Sequence, residues 1–217
     1  KGAIIRELDA SATKSAIKAL LGEGVDAIAI SFLWSFYNQT NELRAQELVK
    51  EINPNIYTSI SSNIAPTPGE YERTSTTVIN AYAGDIARNY IENLADLLQK
   101  NKYSGPVMIM QGYGGLLLAS EAADRAIGML ECGPAAGVIG SKALGELLNQ
   151  KDVIATDMGG TTFKVSVIQG GQIEYAREPM IDRFHYTQPK IEVVSIGAGG
   201  GSIVWIEEGT NIPRVGP

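Results

Sequence analysis

Reactive side chains are scarce in this sequence: of 217 residues, one is cysteine and one is histidine. Cys132 has no mate for an internal disulfide and cannot build a cysteine metal site, so a reducing cytoplasm is the simplest setting. Nothing in the sequence brings Cys132 and His185 together. Cys132 therefore reads as a small residue packed beside the Gly133-Pro134 turn, and His185 as a surface loop residue. No Ser/His/Asp set and no metal-ligand cluster is spelled out that would support direct hydrolysis. Long apolar runs are missing as well, so no segment is suited to span a bilayer, and Lys1-Gly2-Ala3-Ile4-Ile5 is not a secretory signal. Positive charge is short: 18 lysines and arginines against 24 acids give a net charge of −6, and no basic cluster offers a nucleic-acid footprint.

What is present is an ordinary soluble composition, 44% hydrophobic and 19% charged, with 24 glycines gathered into a few tight clusters. The chain is organised around residues 152–168. Val153 to Thr156 is a β-rich apolar run, Asp157 stands at its end, Gly159-Gly160 permits a reversal, and Val165, Val167 and Ile168 resume a strand. Gln169-Gly170-Gly171-Gln172 is a second turn before a strand expected over Ile173 to Arg177. Glycines let successive N–H groups point into one concavity around an anion, Thr161 and Thr162 add hydroxyls, and Asp157 offers a carboxylate to the water shell of a magnesium ion. A plain hairpin would have the same local pattern.

The context of that turn narrows the choice. Upstream, Glu131-Cys132-Gly133-Pro134-Ala135-Ala136-Gly137 reads as a proline-started helix of small residues, which permit close approach to a neighbouring element. Downstream, Ile196-Gly197-Ala198-Gly199-Gly200-Gly201-Ser202-Ile203 is another glycine-rich loop. This order resembles the actin, Hsp70 and sugar-kinase ATPase superfamily. Together with Tyr71-Glu72-Arg73-Thr74-Ser75-Thr76-Thr77-Val78-Ile79-Asn80-Ala81-Tyr82 and Arg214-Val215-Gly216-Pro217, the motifs resemble the hydantoinase A/5-oxoprolinase family, which includes a subunit type of acetone and acetophenone carboxylases.

The resemblance implies an α/β, ribonuclease H-like fold of the actin/Hsp70 type, incomplete here, with mixed sheets flanked by helices. Residues 1–66 would be the C-terminal part of the family's N-terminal α/β domain. Residues 67–217 would open the hydantoinase A/oxoprolinase domain, with a phosphate loop at 152–168 and a glycine loop at 196–203. It implies an ATP-dependent enzyme with ATP and Mg2+ as cofactors, a cyclic amide or ketone as substrate, a hydantoinase B-type partner subunit or domain, and an oligomeric intact enzyme. The nucleotide would be held by Asp157, Gly159, Gly160, Thr161, Thr162 and Lys164, with Gly197, Gly199, Gly200, Gly201 and Ser202 near the nucleoside. Asp157 would reach magnesium through water. No catalytic residue is assigned. A preceding segment with a first phosphate loop is also implied, so the chain reads as part of a larger subunit. One departure stands out: where the family commonly has Ser-Thr-Asp-Val after the glycine-threonine turn, this chain has Thr162-Phe163-Lys164-Val165, a lysine for an acid.

The remaining chain alternates helix and strand, which argues for an α/β unit with a parallel sheet. A helix is expected over 9–22 with Asp9 or Ser11 as cap, a strand over 25–33, a helix capped by Thr40 with Leu43, Leu48, Val49 and Ile52 inward, and a strand over 56–60. Trp34, Phe36 and Tyr37 are expected to cover core at a strand end. Ala65-Pro66-Thr67-Pro68-Gly69 marks a boundary before a long helix, 70–100, with Gly84 as a bend or close contact and apolar residues on recurring faces. Glu70, Arg73, Thr74 and Thr77 open that helix at spacings that let them share a face, and they are candidates to border a substrate cleft. Pro106 to Met110 is an expected strand, Gln111 to Gly115 a structural turn, Ser120 a helix cap, and 178–189 a surface excursion or interface.

Overall fold

The computed structural model describes residues 2–176 and 178–216. Lys1, Arg177 at the end of the expected 173–177 strand, and Pro217 lie outside the described residues. The chain forms two compact units. The first comprises Lys1–Ile109, Leu116–Leu130 and Glu178–Gln188; the second comprises Met110–Gly115, Glu131–Arg177 and Pro189–Pro217. Compactness thus cuts the chain differently from a division at 66/67, because the long helix packs with the residues before it.

In the first unit, α1 (Ala10–Gly22) starts where Asp9 accepts the Ala12 N–H at 2.9 Å, the cap expected from sequence. It is followed by β1 (Ala27–Ile30), α2 (Thr40–Ile52) and β2 (Tyr57–Ile60). The two strands pair in parallel from Ala27↔Tyr57 to Ile30↔Ile60, as a strand–helix–strand crossover requires. Ile17, Ile28, Ile30, Leu48, Val49 and Ile60 make the core between helices and strands. In α2 the inward set differs from expectation: Leu43 is exposed and Glu42 is completely buried. Thr40 is the first helical residue rather than a cap, and its N–H goes to the Asn38 side chain. Trp34 and Tyr37 are exposed rather than covering core; Trp34 stacks on Phe36 at 5.5 Å.

A one-turn helix, α3 (Ser61–Ile64), leads to α4 (Glu70–Lys100). The buried face of α4 is Arg73, Thr76, Thr77, Asn80, Ala81, Gly84 and Ile91, polar or small apart from Ile91. The ladder of β3 (Met108–Met110) with β4 (Leu116–Leu118), then α5 (Ala119–Asp124) and a 3-10 turn (Ala126–Met129), follow. Ser120 is inside the first turn of α5 and makes no cap. Ile91, Ala122 and Ala123 form a satellite core with Ile109 and Leu117. The 178–188 segment is a small hairpin, β8 (Met180–Ile181) with β9 (Phe184–His185), and it is more than an excursion. Tyr186 is buried and the Thr187 N–H donates to Thr76 Oγ1 at 2.9 Å.

The second unit is built on an antiparallel sheet. β5 (Val153–Met158) pairs with β6 (Phe163–Gln169), which pairs on its other side with β10 (Val194–Ile196); β7 (Gln172–Ile173) continues from β6. The expected 173–177 strand is therefore short, prolonged by a single bridge, Tyr175↔Ile191. α6 (Cys132–Leu147) lies on one face of this sheet, burying Ala135, Val138, Ala155, Ile168 and Ile191. Cys132 begins that helix, half-buried. Of the small residues expected to approach the sheet, Ala135 does so, buried against Ala155 and Ile168, while Gly133, Gly137 and Gly140 have nothing within 4 Å of an added Cβ; further along the helix a Cβ on Gly145 would lie 2.8 Å from Val153. β11 (Ile203–Ile206) and β12 (Pro213–Gly216) form a separate ribbon. The protein is α/β, and its parallel and antiparallel pairings are segregated into different sheets rather than mixed within one.

Candidate functional site

The register of the β5–β6 hairpin decides the site. Val153↔Ile168 and Ala155↔Ser166 put their side chains toward α6, and period-two alternation carries Asp157↔Lys164 to that same face. Lys164 Nζ lies 3.8 Å from Asp157 Oδ2, so the lysine that replaces an acid is the direct cross-strand neighbour of the carboxylate. α6 supplies the opposite wall through Pro134, Gly137 and Ser141, spaced to share one helical face. Between them lies an open groove of about 260 Å³ that Ser166 also lines. Sequence reasoning missed Ser141 and Ser166. Their signal was available in the seven-residue step from Pro134 to Ser141, and in the two-residue step from Lys164 to Ser166.

Beyond the pair, the chain turns through Gly159 to Thr162. The Gly159 N–H closes the turn on Thr162 O at 3.0 Å. The glycine loop then packs onto it, main chain to main chain: the Gly200 N–H donates to Gly159 O at 2.9 Å and the Gly201 N–H to Gly160 O at 2.8 Å. The Gly199 N–H is taken by Ser202 Oγ at 2.8 Å. The two glycine motifs, some forty residues apart in sequence, are thus one structure. The donors of Gly199, Gly200 and Gly201 are consumed in building it. In contrast, among the described residues, the N–H groups of Gly160, Thr161 and Thr162 and both threonine hydroxyls make no hydrogen bond within the chain.

The approach is too close for a side chain. A Cβ on Gly199 would fall 2.7 Å from Gly159 O, Gly160 C and Thr161 N, all of them main chain. Gly199→Ala is expected to displace the turn and cost about 1–3 kcal/mol. Gly197→Ala, with nothing within 4 Å, is expected to leave stability nearly unchanged. Urea midpoints of the two variants check this, and equal midpoints would refute the close-packing argument.

Asp157 is the one carboxylate among the described residues lining the groove, and no group of three His, Cys, Asp or Glu among the described residues is placed to hold a metal ion. A magnesium ion carried on phosphates needs only one or two protein carboxylates, so the residues fit such an ion with Asp157 as its protein contact. No helix among the described residues is long and apolar enough to cross a membrane.

The quartet at the start of α4 is not presented together. Arg73 and Thr77 are buried, Glu70 and Thr74 are exposed, and Thr74 shares a hydrogen bond with Ser31 at 2.8 Å. Arg73 donates through Nη2 to Phe32 O at 2.8 Å and through Nε to Ser61 Oγ at 3.2 Å, and lies 5.4 Å over the Phe36 ring.

Comparison with known proteins agrees with this architecture. The Hydantoinase/oxoprolinase family matches residues 73–217, and its N-terminal region matches residues 1–53. The chain is 32% identical to caprolactamase subunit alpha of Pseudomonas jessenii, over 100% of this chain and 31% of that protein. It is 32% identical to acetophenone carboxylase gamma subunit of Aromatoleum aromaticum, over 100% of this chain and 30% of that protein. Among solved structures, nucleotide-free acetone carboxylase superposes with a TM-score of 0.82 at 28% identity, covering 97% of this chain and 30% of that one. ATP-dependent caprolactamase from Pseudomonas jessenii superposes with a TM-score of 0.81 at 32% identity, covering 100% of this chain and 31% of that one. The chain spans about a third of the length of these relatives. With both family regions matched in order and the fold shared, the chain belongs to the hydantoinase/oxoprolinase family.

Proposed function

We propose that this chain supplies part of the nucleotide site of an ATP-dependent enzyme subunit. That subunit would activate a cyclic amide of hydantoin or 5-oxoproline type, or a ketone, for ring hydrolysis or carboxylation with a hydantoinase B-type partner. The observation that carries the reading is the 159–162 turn, with its unspent donors of Gly160, Thr161 and Thr162 beside the Asp157–Lys164 pair. ATP, when bound, supplies the phosphoryl group that activates the substrate carbonyl. The turn's N–H groups and threonine hydroxyls hold phosphate oxygens, and Lys164 adds a point charge. Asp157 takes the water shell of magnesium. The 197–202 loop borders the nucleoside and keeps the turn in shape. Such positioning and charge placement are most of what a protein contributes to phosphoryl transfer. Of the quartet on α4, Glu70 and Thr74 are the exposed members that a substrate could reach, Thr74 with its hydroxyl bonded to Ser31. Support comes from the relatives, whose names include an ATP-dependent caprolactamase and carboxylase subunits.

A second reading, a scaffold subunit with a retired site, is favoured by one feature: Lys164 already neutralises Asp157. Calorimetric titration of magnesium–ATP into the longest natural form containing these 217 residues separates the two. Saturable binding that Gly160→Val abolishes is expected. No heat up to millimolar ATP would give the assignment to the scaffold.

A further inference from the structure

The bonds between the glycine loop and the 159–162 turn fix a direction as well as a contact. Consecutive donors meet consecutive acceptors: the Gly200 N–H bonds Gly159 O at 2.9 Å and the Gly201 N–H bonds Gly160 O at 2.8 Å. Paired extended strands do not bond in this way, because along a strand successive carbonyls point to opposite sides. Here both oxygens face the loop. In a planar trans peptide the C=O and the N–H that follows it leave by opposite edges. The 159–160 peptide therefore aims the Gly160 N–H away from the loop, and the 160–161 peptide aims the Thr161 N–H the same way. Adjacent donors on one side of a backbone make the concavity that takes an anion. Both donors are unspent within the chain.

The loop's own donors converge too, but main chain fills their concavity: the carbonyls of Gly159 and Gly160. Ser202 braces the loop from behind. Its hydroxyl accepts the Gly199 N–H at 2.8 Å, and its N–H returns to Gly199 O at 3.0 Å. The fit is graded along the loop. A Cβ on Gly199 would fall 2.7 Å from Gly159 O, Gly160 C and Thr161 N, atoms of the same peptides whose N–H groups are aimed. One on Gly201 would lie 3.0 Å from Gly160 O, and one on Gly200 would lie 3.7 Å from Gly159 O, an ordinary contact.

We propose that Gly199, Gly201 and Ser202 are positioning residues for a polyphosphate chain. The loop grips the carbonyl edges of two peptides and so sets the direction of the Gly160 and Thr161 N–H groups. The anion then lies on the side of the turn away from the loop. This inference rests on the nucleotide-site reading and deepens it, since it separates the loop's hold over the phosphates from its contact with the nucleoside.

The test is calorimetry on the longest natural form containing these 217 residues, with magnesium pyrophosphate and magnesium–ATP as separate probes. Each variant is titrated at a temperature where circular dichroism shows it folded. Gly199→Ala is expected to weaken both probes by the same factor, about tenfold or more, as losing one hydrogen bond to a charged group would do. The loss should be smaller for Gly201→Ala and least for Gly200→Ala, in the order of the Cβ distances. Ser202→Ala adds no atom and only frees the Gly199 N–H, so it should weaken both probes about threefold. It carries the test if Gly199→Ala does not fold. A loop that is merely structural would lower the fraction of chains that bind, read as stoichiometry, and leave the affinity of the folded chains at the parent value; that result overturns the proposal. Weakening of ATP with pyrophosphate untouched also overturns it, by marking a nucleoside contact, as does a parent that binds ATP but not pyrophosphate up to millimolar. A parent that binds neither probe fails the nucleotide reading itself, and the inference falls with it.

Discussion

Replacing Arg73 with methionine is expected to lower unfolding free energy by about 3–5 kcal/mol, the range for breaking a buried charge constellation. Glu42 and Arg73 are both buried to within 1% and meet through Ser61. The Ser61 hydroxyl has one proton, given to Glu42 Oε1 at 2.6 Å, so it must accept from Arg73 Nε at 3.2 Å and from Ser35 at 2.9 Å. Glu42 also accepts the N–H groups of Phe32 and Ser62, each at 2.8 Å, and Arg73 caps Phe32 O. Removing the guanidinium leaves a buried carboxylate without a compensating charge and takes from the Ser61 hydroxyl one of its two donors, with Ser35 the one that stays. Arg73→Lys is expected to recover little, because an ammonium cannot reach Ser61, Thr67 O and Phe32 O with one planar fork. The check is a double-mutant cycle in urea. Arg73→Met with Glu42→Leu should cost less than the two single changes added, by about 1–3 kcal/mol. Strict additivity, or an unchanged midpoint for Arg73→Met, would mean the network is not one unit. The same measurement separates a stability role for Arg73 from a substrate role, since loss of turnover in a variant that has lost its fold says nothing about the cleft.

The second large effect is expected at Gly84, and its sign opposes helix propensity. Alanine in a helix interior is ordinarily better than glycine by about 1 kcal/mol. Here the added Cβ would fall 2.1 Å from Cε1 and Cζ of Tyr57. That ring cannot withdraw: its hydroxyl donates to the carbonyls of Ala123 and Asp124 at 3.1 and 3.0 Å, Asn80 donates to it, and Arg88 lies 4.4 Å over its face. Burial pushes the Tyr57 phenol above its ordinary pKa, so it stays a donor. Gly84→Ala is expected to destabilise by about 2–4 kcal/mol. Gly140→Ala in α6, exposed and with nothing within 4 Å, should instead stabilise by up to about 1 kcal/mol. Thermal midpoints moving in opposite directions would bear this out; a Gly84→Ala midpoint at or above that of the parent would show that α4 can slide away from β2.

How much of this was legible beforehand divides by range. The Asp9 cap, the end of α2 at Ile52, the existence of a helix around Pro134, the β5–β6 hairpin and its glycine turn are settled by residues within a few positions of one another. There, capping, turn preference and period-two alternation act locally. The five motifs in order were sufficient to name the family. Asp157 facing Lys164 was implicit in the hairpin register, two residues beyond each end of the turn.

The contacts that make the site and the core belong to the other class. That the 199–201 loop spends its donors on the 159–161 turn, leaving Gly160, Thr161 and Thr162 open, depends on which distant main chain is brought alongside. The start of α4 reads as a cleft lining because its residues are spaced to share a face and because hydroxyls are poor helix formers that need a local reason to be there. The structure buries Arg73 and Thr77 because Glu42, on another helix, supplies the charge that permits it. Gly84 was readable as a bend or a contact, and only the position of Tyr57 chose contact. By itself, then, the sequence determined its elements, its turns and its family. The tertiary structure decided which face of α4 is buried and which donors remain unspent, because those depend on partners tens of residues away that no local preference can register.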